Sequence, residues 1–202
     1  GAPANNCLLF GDGGTGKSTS IKSLVNEYFS QGLRVIEVYK HQFPLLPSLL
    51  SRLAGRNLKF LIFMDDLSFE EGEQEYKYLK SLLEGGFGAR PRNVLVYATS
   101  NRRHLIRESF RDKQERDEEL HRGETVQEKL SLAARFGLRI YYPSPQQKQF
   151  QEIVLGLAKR HHIAMEESEL LFLANQWELS HGGLSGRTAR QFVTYLQGRK
   201  SL

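Results

Sequence analysis

Residues 11–18 form a glycine-rich motif whose spacing suits phosphate binding. They read Gly-Asp-Gly-Gly-Thr-Gly-Lys-Ser and fit the pattern G-x-x-x-x-G-K-[ST]. The glycines permit a tight loop whose backbone N–H groups point at phosphate oxygens, and the helix that follows adds its N-terminal dipole. In such a loop Lys17 reaches the β- and γ-phosphates, and the hydroxyl of Ser18 ligates Mg²⁺. The motif therefore predicts a site for a nucleoside triphosphate.

The residues that we expect to contact the nucleotide form one continuous segment: Gly11, Asp12, Gly13, Gly14, Thr15, Gly16, Lys17, Ser18 and Thr19. The alternative is a glycine-rich turn that joins a strand to a helix without binding a ligand. The segment lies between an apolar strand at 7–10 and the start of a helix, as a phosphate loop does, and this position favours phosphate binding.

Asp65 and Asp66 follow an apolar run at residues 58–64, which is typical of a strand covered on both faces. A carboxylate at the end of such a strand can hold Mg²⁺ through water beside the serine of a phosphate loop. We therefore expect Asp65 and Ser18 to support the metal. Acidic residues also end strands as turn formers, so the case for a metal depends on the phosphate loop.

These residues need a parallel sheet to bring them together, and the chain has the pattern for one. Strand-like runs alternate with amphipathic helical segments, and the first helix ends at a glycine cap, Gly32. Such alternation predicts a three-layer P-loop α/β domain with a five-stranded parallel sheet. The expected strands are 7–10, 33–39, 58–64, 94–98 and 138–142, and the expected helices are 21–29, 45–53, 76–83 and 126–136.

The pattern changes after Tyr142, where three helical segments follow at 150–158, 167–179 and 185–196. We expect Ser144 to cap the first of these helices, with Pro145 at its first position. The sequence thus predicts a P-loop nucleotide-binding core at residues 1–143 and a small α-helical lid at residues 144–202.

Charge and composition limit the other classes of function. The net charge of +5 is spread along the chain: residues 1–101 carry 11 Lys/Arg and 10 Asp/Glu, 102–135 carry 9 and 8, and 136–202 carry 8 and 5. Because no segment is a basic block, the charge argues only weakly for nucleic acid. Cys7 is the only cysteine, which excludes an internal disulfide and fits a reducing compartment. No apolar run reaches the ~18 residues of a membrane helix, so the sequence predicts a cytoplasmic protein.

The pairing of the two motifs resembles Walker A and Walker B of the AAA+ ATPases, and three further positions continue the resemblance. Asn101, after the fourth strand, is similar to sensor 1, which helps to orient the attacking water in that family. Arg135 is similar to the arginine finger that completes a neighbouring subunit's site. The alternative for Arg135 is a helix-terminal arginine favoured by the helix dipole. Arg187 resembles sensor 2, with Arg190 as the other candidate on the same helix face.

Within that superfamily the chain is most similar to a bacterial group of predicted ATPases, the domain of unknown function 815. The segments that carry this resemblance are 2–6, 65–70, 99–105, 129–132 and 135–138. The resemblance covers essentially the whole chain and implies a fold and a site, but no biological task.

The resemblance implies an oligomeric ATPase, a ring or arc of identical chains that binds ATP and Mg²⁺ and acts on an unknown protein or DNA partner. It assigns catalysis to Lys17, Asp66, Asn101 and Arg187 of one subunit and to Arg135 of its neighbour. Most Walker B motifs end in Asp-Glu; here the second acid is Asp66, and Glu70 is the alternative group for polarising water. A nucleotide-gated binding module with little hydrolysis is the second hypothesis. A small-molecule kinase is the third, and the terminal helices disfavour it.

Three further features have simpler explanations. Tyr39–Phe43 follows the second strand, where some AAA+ proteins carry a pore loop, but local packing of Phe43 is the favoured interpretation. Arg102-Arg103 could contact DNA phosphates or pair with the nearby acids. His161-His162 lacks the one-face spacing of metal ligands, and we expect it at a surface helix end.

Overall fold

The computed structural model describes residues 4–70, 73–84, 91–101, 105 and 132–200. These residues form two compact units. The first comprises the residues up to Phe10 together with Ser18–Tyr141, and the second comprises Gly11–Lys17 together with the residues from Tyr142 onward. The glycine-rich loop therefore belongs to the same unit as the C-terminal helices. The division of the chain at residues 143 and 144 stays a prediction.

One sheet of five strands forms the centre of the first unit. Its strands are β1 Cys7–Gly11, β2 Leu33–Glu37, β3 Lys59–Met64, β4 Val94–Ser100 and β5 Leu138–Tyr142. Their order is β2-β3-β4-β1-β5, and the pairs β2–β3, β3–β4 and β4–β1 are parallel. All of β3 after its first residue is buried, which explains why its sequence is an apolar run without alternation. The expected five-stranded parallel sheet is confirmed.

The register of the strands brings the ends of three of them to one edge of the sheet. Met64 in β3 pairs with Ala98 in β4, and Phe10 in β1 pairs with Ser100 in β4. Because these strands are parallel, the residues that follow each of them emerge at the same edge. Polar residues at this edge include Asp65, Asp66, Thr99 and Asn101.

Helices accompany the sheet where the periodicity predicts them. The α-helices are α1 Lys17–Tyr28, α2 Leu46–Ala54 and α3 Glu75–Glu84, and single 3₁₀ segments occupy Phe29–Gln31 and Lys40–Leu45. Gly32 has a φ of 91°, and its N–H donates to the carbonyl oxygen of Phe29, so it caps the 3₁₀ segment that directly follows α1 and not α1 itself. The helix expected at 126–136 lies partly outside the described residues, and 132–134 are helical.

The core of the first unit includes Phe43. This side chain is fully buried and lies edge-on to Phe69, with ring centroids 6.3 Å apart. A buried ring has no surface with which to grip a substrate, so local packing is confirmed for Phe43. Other large buried side chains of this core are Leu46, Ile62, Met64, Leu79 and Leu82.

The second unit contains three helices, α4 Gln147–Arg160, α5 Glu167–Ser180 and α6 Gly186–Lys200. They share a small apolar core to which each helix contributes: Phe150, Val154, Ala174, Phe192 and Val193. The three C-terminal helices expected from the sequence are confirmed. None of the helices in the described part of the chain is both long and apolar enough to span a bilayer.

The start of α4 differs from the prediction. Ser144 does not cap the helix, and Pro145 is not its first residue; residues 143–146 are non-helical, and Gln146 is the N-cap, paired reciprocally with Gln149. The physical reason is that Ser144 bonds to Asp12 through both its N–H, which donates to Oδ2 at 2.9 Å, and its side chain. These bonds hold Ser144 against the glycine-rich loop, and the helix begins only after Gln146.

Candidate nucleotide site

The loop between β1 and α1 has the backbone form that a phosphate loop requires. Gly11, Gly14 and Gly16 have φ angles of 134°, 75° and 98°, in a region that side-chain-bearing residues avoid. At Gly11 the chain packing is also very close, because a Cβ there would lie 2.2 Å from the carbonyl oxygen of Tyr142. α1 begins at Lys17, so the N–H groups of its first turn, which have no partners within the helix, lie at the end of the loop.

The side chains of Lys17 and Thr15 form hydrogen bonds with carbonyl oxygens of the loop. Nζ of Lys17 donates to the carbonyl oxygens of Gly11, at 3.1 Å, and Asp12, at 2.5 Å. The hydroxyl of Thr15 donates to the same oxygen of Asp12 at 2.9 Å. Lys17 is only 6% exposed, and a buried ammonium group needs such partners. The lysine charge is therefore held against the loop.

The side chain of Asp12 joins the loop to the segment that precedes α4. Its Oδ2 accepts the hydrogen bond from the N–H of Ser144, and its own N–H donates to the carbonyl oxygen of Tyr142 at 3.1 Å. The hydrogen bonds from Ser144 lower the pKa of Asp12 below its usual value, and the charge of Lys17 adds to this effect. Asp12 is thus an ionised acceptor that fixes the first part of the loop.

The middle of the loop contacts the start of α6. The N–H of Arg187 donates to the carbonyl oxygen of Gly14 at 3.2 Å. A Cβ at Gly14 would lie 2.9 Å from Cβ of Arg187 and 3.0 Å from Oγ of Ser185. Ser185 is buried, and its Oγ accepts from the N–H of Thr188 at 3.0 Å, as an N-cap does. The residue expected as sensor 2, Arg187, therefore lies beside the loop.

A cavity of about 450 Å³ lies beside the loop within the second unit. Its lining combines apolar surface with the polar side chains of Gln149 and Glu152. The lining residues are Thr15, Pro143, Pro145, Gln149, Glu152, Ile153 and Gly186. Small-molecule sites have volumes of about 300–1,000 Å³, so the cavity is large enough for a nucleoside.

In the first unit, three oxygen-bearing side chains meet at the edge of the sheet. Oγ of Ser18 donates to Oδ1 of Asp65 at 2.6 Å, and Oγ1 of Thr99 donates to the same oxygen at 2.5 Å. The two predicted metal ligands are therefore within hydrogen-bond distance of each other. Asp65 is exposed, whereas Thr99 is 1% exposed. The buried hydroxyl of Thr99 thus orients the solvent-accessible carboxylate of Asp65.

This donor set fits Mg²⁺. Magnesium prefers oxygen ligands, and in nucleotide sites it takes one or two carboxylates together with substrate phosphates and water. Ser18 and Asp65 supply such oxygens. Among the described residues no group of three or more His, Cys, Asp or Glu side chains could hold a metal ion, so a site here would depend on the phosphates for its remaining ligands.

Asp66 and Asn101 are directly bonded. Nδ2 of Asn101 donates to Oδ1 of Asp66 at 2.8 Å, and the N–H of Asp66 donates to Oγ1 of Thr99 at 2.9 Å. Asp66 has a φ of 49°, which is unusual for a residue with a side chain. Such backbone strain is held by surrounding contacts and often occurs at functional sites. The structure thus brings the expected water-polarising acid and the expected sensor 1 together, and Glu70 remains the alternative acid.

Thr99 is a residue of this site that the sequence analysis missed. It bonds to both aspartates, yet a threonine near the end of a strand is common and has no spacing signature. The signal that could have found it is its place in β4, one residue after Ala98, the partner of Met64. That register puts Thr99 opposite Asp65.

Arg135 lies elsewhere in the first unit. It follows the helical residues 132–134, and both Nε and Nη2 contact Oε1 of Glu84 at 2.6 Å. The expected role as an arginine finger stays a prediction, as do the roles of the other site residues. Arg102-Arg103, which could contact DNA, lies outside the described residues. His161 is the exposed C-cap of α4, as expected for a surface helix end.

The solved structures similar to this chain include a AAA domain and a branch migration motor. The FIGL-1 AAA domain in complex with ADP is 22% identical, with a TM-score of 0.58, over 99% of this chain and 63% of that one. The Thermotoga maritima RuvB Holliday junction branch migration motor is 13% identical, with a TM-score of 0.61, over 98% of this chain and 56% of that one. A mutant of the same RuvB gives 15% identity and a TM-score of 0.63 over 98% and 56%. The chain thus spans about three fifths of the structures it matches, and the likeness concerns the fold.

A family model, "Protein of unknown function (DUF815)", matches residues 1–200. No curated protein is significantly similar in sequence to the chain. The structural matches agree with the three-layer α/β fold, its five-stranded parallel sheet and the C-terminal helices. The chain therefore belongs to the DUF815 family, and its fold is that of the AAA+ P-loop ATPases.

Proposed function

We propose that the chain is an ATP-binding and ATP-hydrolysing module that self-assembly activates, and that it uses hydrolysis to remodel or load a macromolecular partner. The observation that carries the proposal is the hydrogen bond from Ser18 to Asp65. It joins the residue after a glycine-rich loop and its lysine to a carboxylate at a strand end, which is the pairing that a metal–triphosphate site requires.

The triphosphate is bound by the loop. Its oxygens accept hydrogen bonds from the backbone N–H groups of residues 13–17, and the ammonium group of Lys17 moves from the loop carbonyl oxygens to a phosphate oxygen. Ser18 and Asp65 hold the metal, and Mg²⁺, when bound, neutralises charge on the phosphate oxygens. The nucleoside occupies the cavity that includes Pro145 and Ile153.

Hydrolysis depends on residues that orient water and stabilise charge. Asp66 accepts a proton from the attacking water, and Asn101, which is bonded to Asp66, fixes the position of that carboxylate. Arg187, beside Gly14, contacts the γ-phosphate. Arg135 reaches the site of a neighbouring copy, and an arginine in that role contributes on the order of 10³-fold or more in rate. A single chain should then hydrolyse ATP slowly, and assembly should increase the rate.

Asp66 also supports a second candidate, a nucleotide-gated binding module with little hydrolysis. Aspartate is shorter than the glutamate that most AAA+ ATPases carry, and its Oδ1 already accepts from Asn101. In this candidate, bound ATP holds one conformation and hydrolysis is incidental.

The remaining parts of the proposal concern partners and location. We propose a homo-oligomer, in a ring or arc, that acts on a protein or DNA partner in the cytoplasm. A reducing compartment is supported by Cys7, which is a free thiol that is 1% exposed.

The test is the rate of ATP hydrolysis per chain as a function of chain concentration. We expect the rate to rise with concentration for the wild type and to stay low at every concentration for Arg135→Ala and Lys17→Ala. Lys22→Ala is the matched control, because Lys22 is an exposed lysine of the same helix as Lys17.

Mixing the two inactive variants distinguishes shared sites from separate ones. Arg135→Ala chains keep the loop and Lys17→Ala chains keep the finger, so a mixture should recover part of the activity. Arg135→Ala turnover equal to wild type would remove the finger assignment. Tight Mg·ATP binding without multiple turnover at any concentration would favour the nucleotide-gated module.

A further inference from the structure

We propose that Glu84 is a positioning residue for Arg135: it holds the guanidinium group in the orientation that serves the active site of a neighbouring copy of this chain. The inference rests on the proposed function, in which Arg135 acts between subunits. The observation that supports it is the pair of contacts from Nε and Nη2 of Arg135 to Oε1 of Glu84, both at 2.6 Å.

The geometry of the pair leaves the outer end of the guanidinium available. Nε–H and one N–H of Nη2 lie on the same edge of the planar group, and Glu84 takes that edge. Of the other three N–H groups, one on Nη1 and one on Nη2 form the end of the fork, which matches two oxygens of a phosphate. The side chain of Arg135 is 22% exposed. An anion from another molecule can therefore bind without breaking the contact with Glu84.

The backbones of both residues are anchored by the core. Arg135 is preceded by Leu132 and Ala133 and followed by Phe136, which are 1%, 3% and 2% exposed. Glu84 is the last residue of α3, whose Leu82 is 1% exposed. With both main chains fixed, the remaining freedom lies in the two side chains, and the contact between them favours one orientation of the guanidinium group.

A purely stabilising role explains this contact poorly. Glu84 is 45% exposed, and ion pairs at that exposure add little to stability because water and salt screen them. Orientation is different, because a group misplaced by about 1 Å can lose as much as about 10²-fold in rate. Loss of Glu84 should therefore affect catalysis much more than folding.

The opposite function makes the opposite prediction. If Glu84 held Arg135 away from a neighbour, its removal would increase the rate of ATP hydrolysis. If it positions Arg135, its removal lowers the rate. The sign of the change decides between the two.

The experiment measures kcat for ATP hydrolysis by the full chain at a concentration where the wild type is assembled. We expect Glu84→Ala to lower kcat about tenfold, while the calorimetric Kd for Mg·ADP changes less than about twofold. Glu84→Gln, which keeps an acceptor oxygen, should lose less. Glu75→Gln is the matched control, since it changes the acid at the opposite end of the same helix from Glu84.

Subunit mixing gives a readout that a structural role would not produce. Lys17→Ala chains carry an intact Glu84–Arg135 pair and have no active site, so an excess of them should raise the rate per Glu84→Ala chain towards wild type. Asp66→Asn chains serve as a second donor that still binds nucleotide.

The outcomes separate this inference from the proposed function. An unchanged or higher kcat for Glu84→Ala, or no recovery with either donor, overturns the positioning role. If Arg135→Ala is inactive while Glu84→Ala is normal, only the positioning role fails. If Arg135→Ala turns over ATP like the wild type, the finger assignment fails and the positioning role fails with it.

Discussion

The carbonyl oxygen of Gly14 accepts a hydrogen bond of 3.2 Å from the backbone N–H of Arg187. The glycine-rich loop is thus joined, main chain to main chain, to the first turn of the last helix. A second bond, from the N–H of Ser144 to Asp12, joins the loop to the segment before α4. Both contacts lie within one compact unit, and together they give the C-terminal helices a direct connection to the loop that we propose binds phosphate.

Gly14→Ala should weaken nucleotide binding. The φ of Gly14 is 75°, and a Cβ there would lie 2.9 Å from Cβ of Arg187. Strain of this kind costs about 1–3 kcal/mol, which corresponds to roughly fivefold to 150-fold in Kd. Calorimetric titration with Mg·ADP measures the change.

Gly156→Ala is the control for that substitution. Gly156 lies in α4, outside the loop, and a Cβ there meets nothing within 4 Å. We therefore expect wild-type affinity for this variant. Wild-type affinity of Gly14→Ala as well would mean that the close contact with Arg187 is not what makes Gly14 necessary.

Thr99→Val should weaken Mg²⁺ binding at the proposed site. Valine has nearly the shape of threonine but lacks the hydroxyl that donates to Asp65 and accepts from the N–H of Asp66. An unsatisfied buried group costs about 1–3 kcal/mol, so we expect the Mg²⁺ concentration for half-maximal ATP hydrolysis to rise several-fold. Binding of ADP in the presence of EDTA should not change.

Thr99→Ser is the matched variant because it keeps the hydroxyl. It should need much less additional Mg²⁺ than Thr99→Val. Identical Mg²⁺ dependence of the two variants would rule out Thr99 as the residue that orients Asp65.

Much of this architecture could be predicted from the sequence. The apolar run at 58–64 predicted a buried strand, and β3 occupies Lys59–Met64. The loop pattern predicted a strand before Gly11 and a helix after it, and α1 begins at Lys17. The adjacency of Ser18 and Asp65 followed from the same reasoning, because parallel strands deliver their ends to one edge. These features depend on local periodicity and on a motif with fixed spacing.

Other contacts could not be predicted because they join residues far apart in sequence through groups that carry no pattern. The bond between Gly14 and Arg187 uses only main-chain atoms. Ser144 looked like a helix cap, yet its N–H is taken by Asp12, 132 residues away. Local sequence rules do not predict this bond, because its donor and its acceptor are not neighbours in the chain.

Cys7 should make the stability of the protein fall at high pH. Burial raises the pKa of this thiol from 9.0 to about 11. The thiol of the unfolded chain ionises at a lower pH than the buried thiol. The contribution of the protonated thiol to the free energy of unfolding is therefore complete below about pH 9 and is lost as the pH rises towards about 11. Two pH units correspond to about 2.7 kcal/mol.

Denaturant unfolding across that range tests the prediction. The burial of Tyr97 raises the pKa of its phenol as well, so the comparison is between wild type and Cys7→Ala at each pH. The free energy of unfolding should fall more steeply with pH for the wild type. Parallel curves would show that the thiol does not contribute.

The central claim is that the loop of residues 11–18, with Lys17 and a magnesium ion, binds the phosphates of a nucleotide. Isothermal titration calorimetry of the folded chain with Mg·ATP and Mg·ADP tests this claim most directly. We predict saturable binding to the wild type and to Lys22→Ala, and severely weakened binding to Lys17→Ala. The claim would be contradicted by a wild type that takes up neither nucleotide, or by a Lys17→Ala chain that binds as tightly as the wild type.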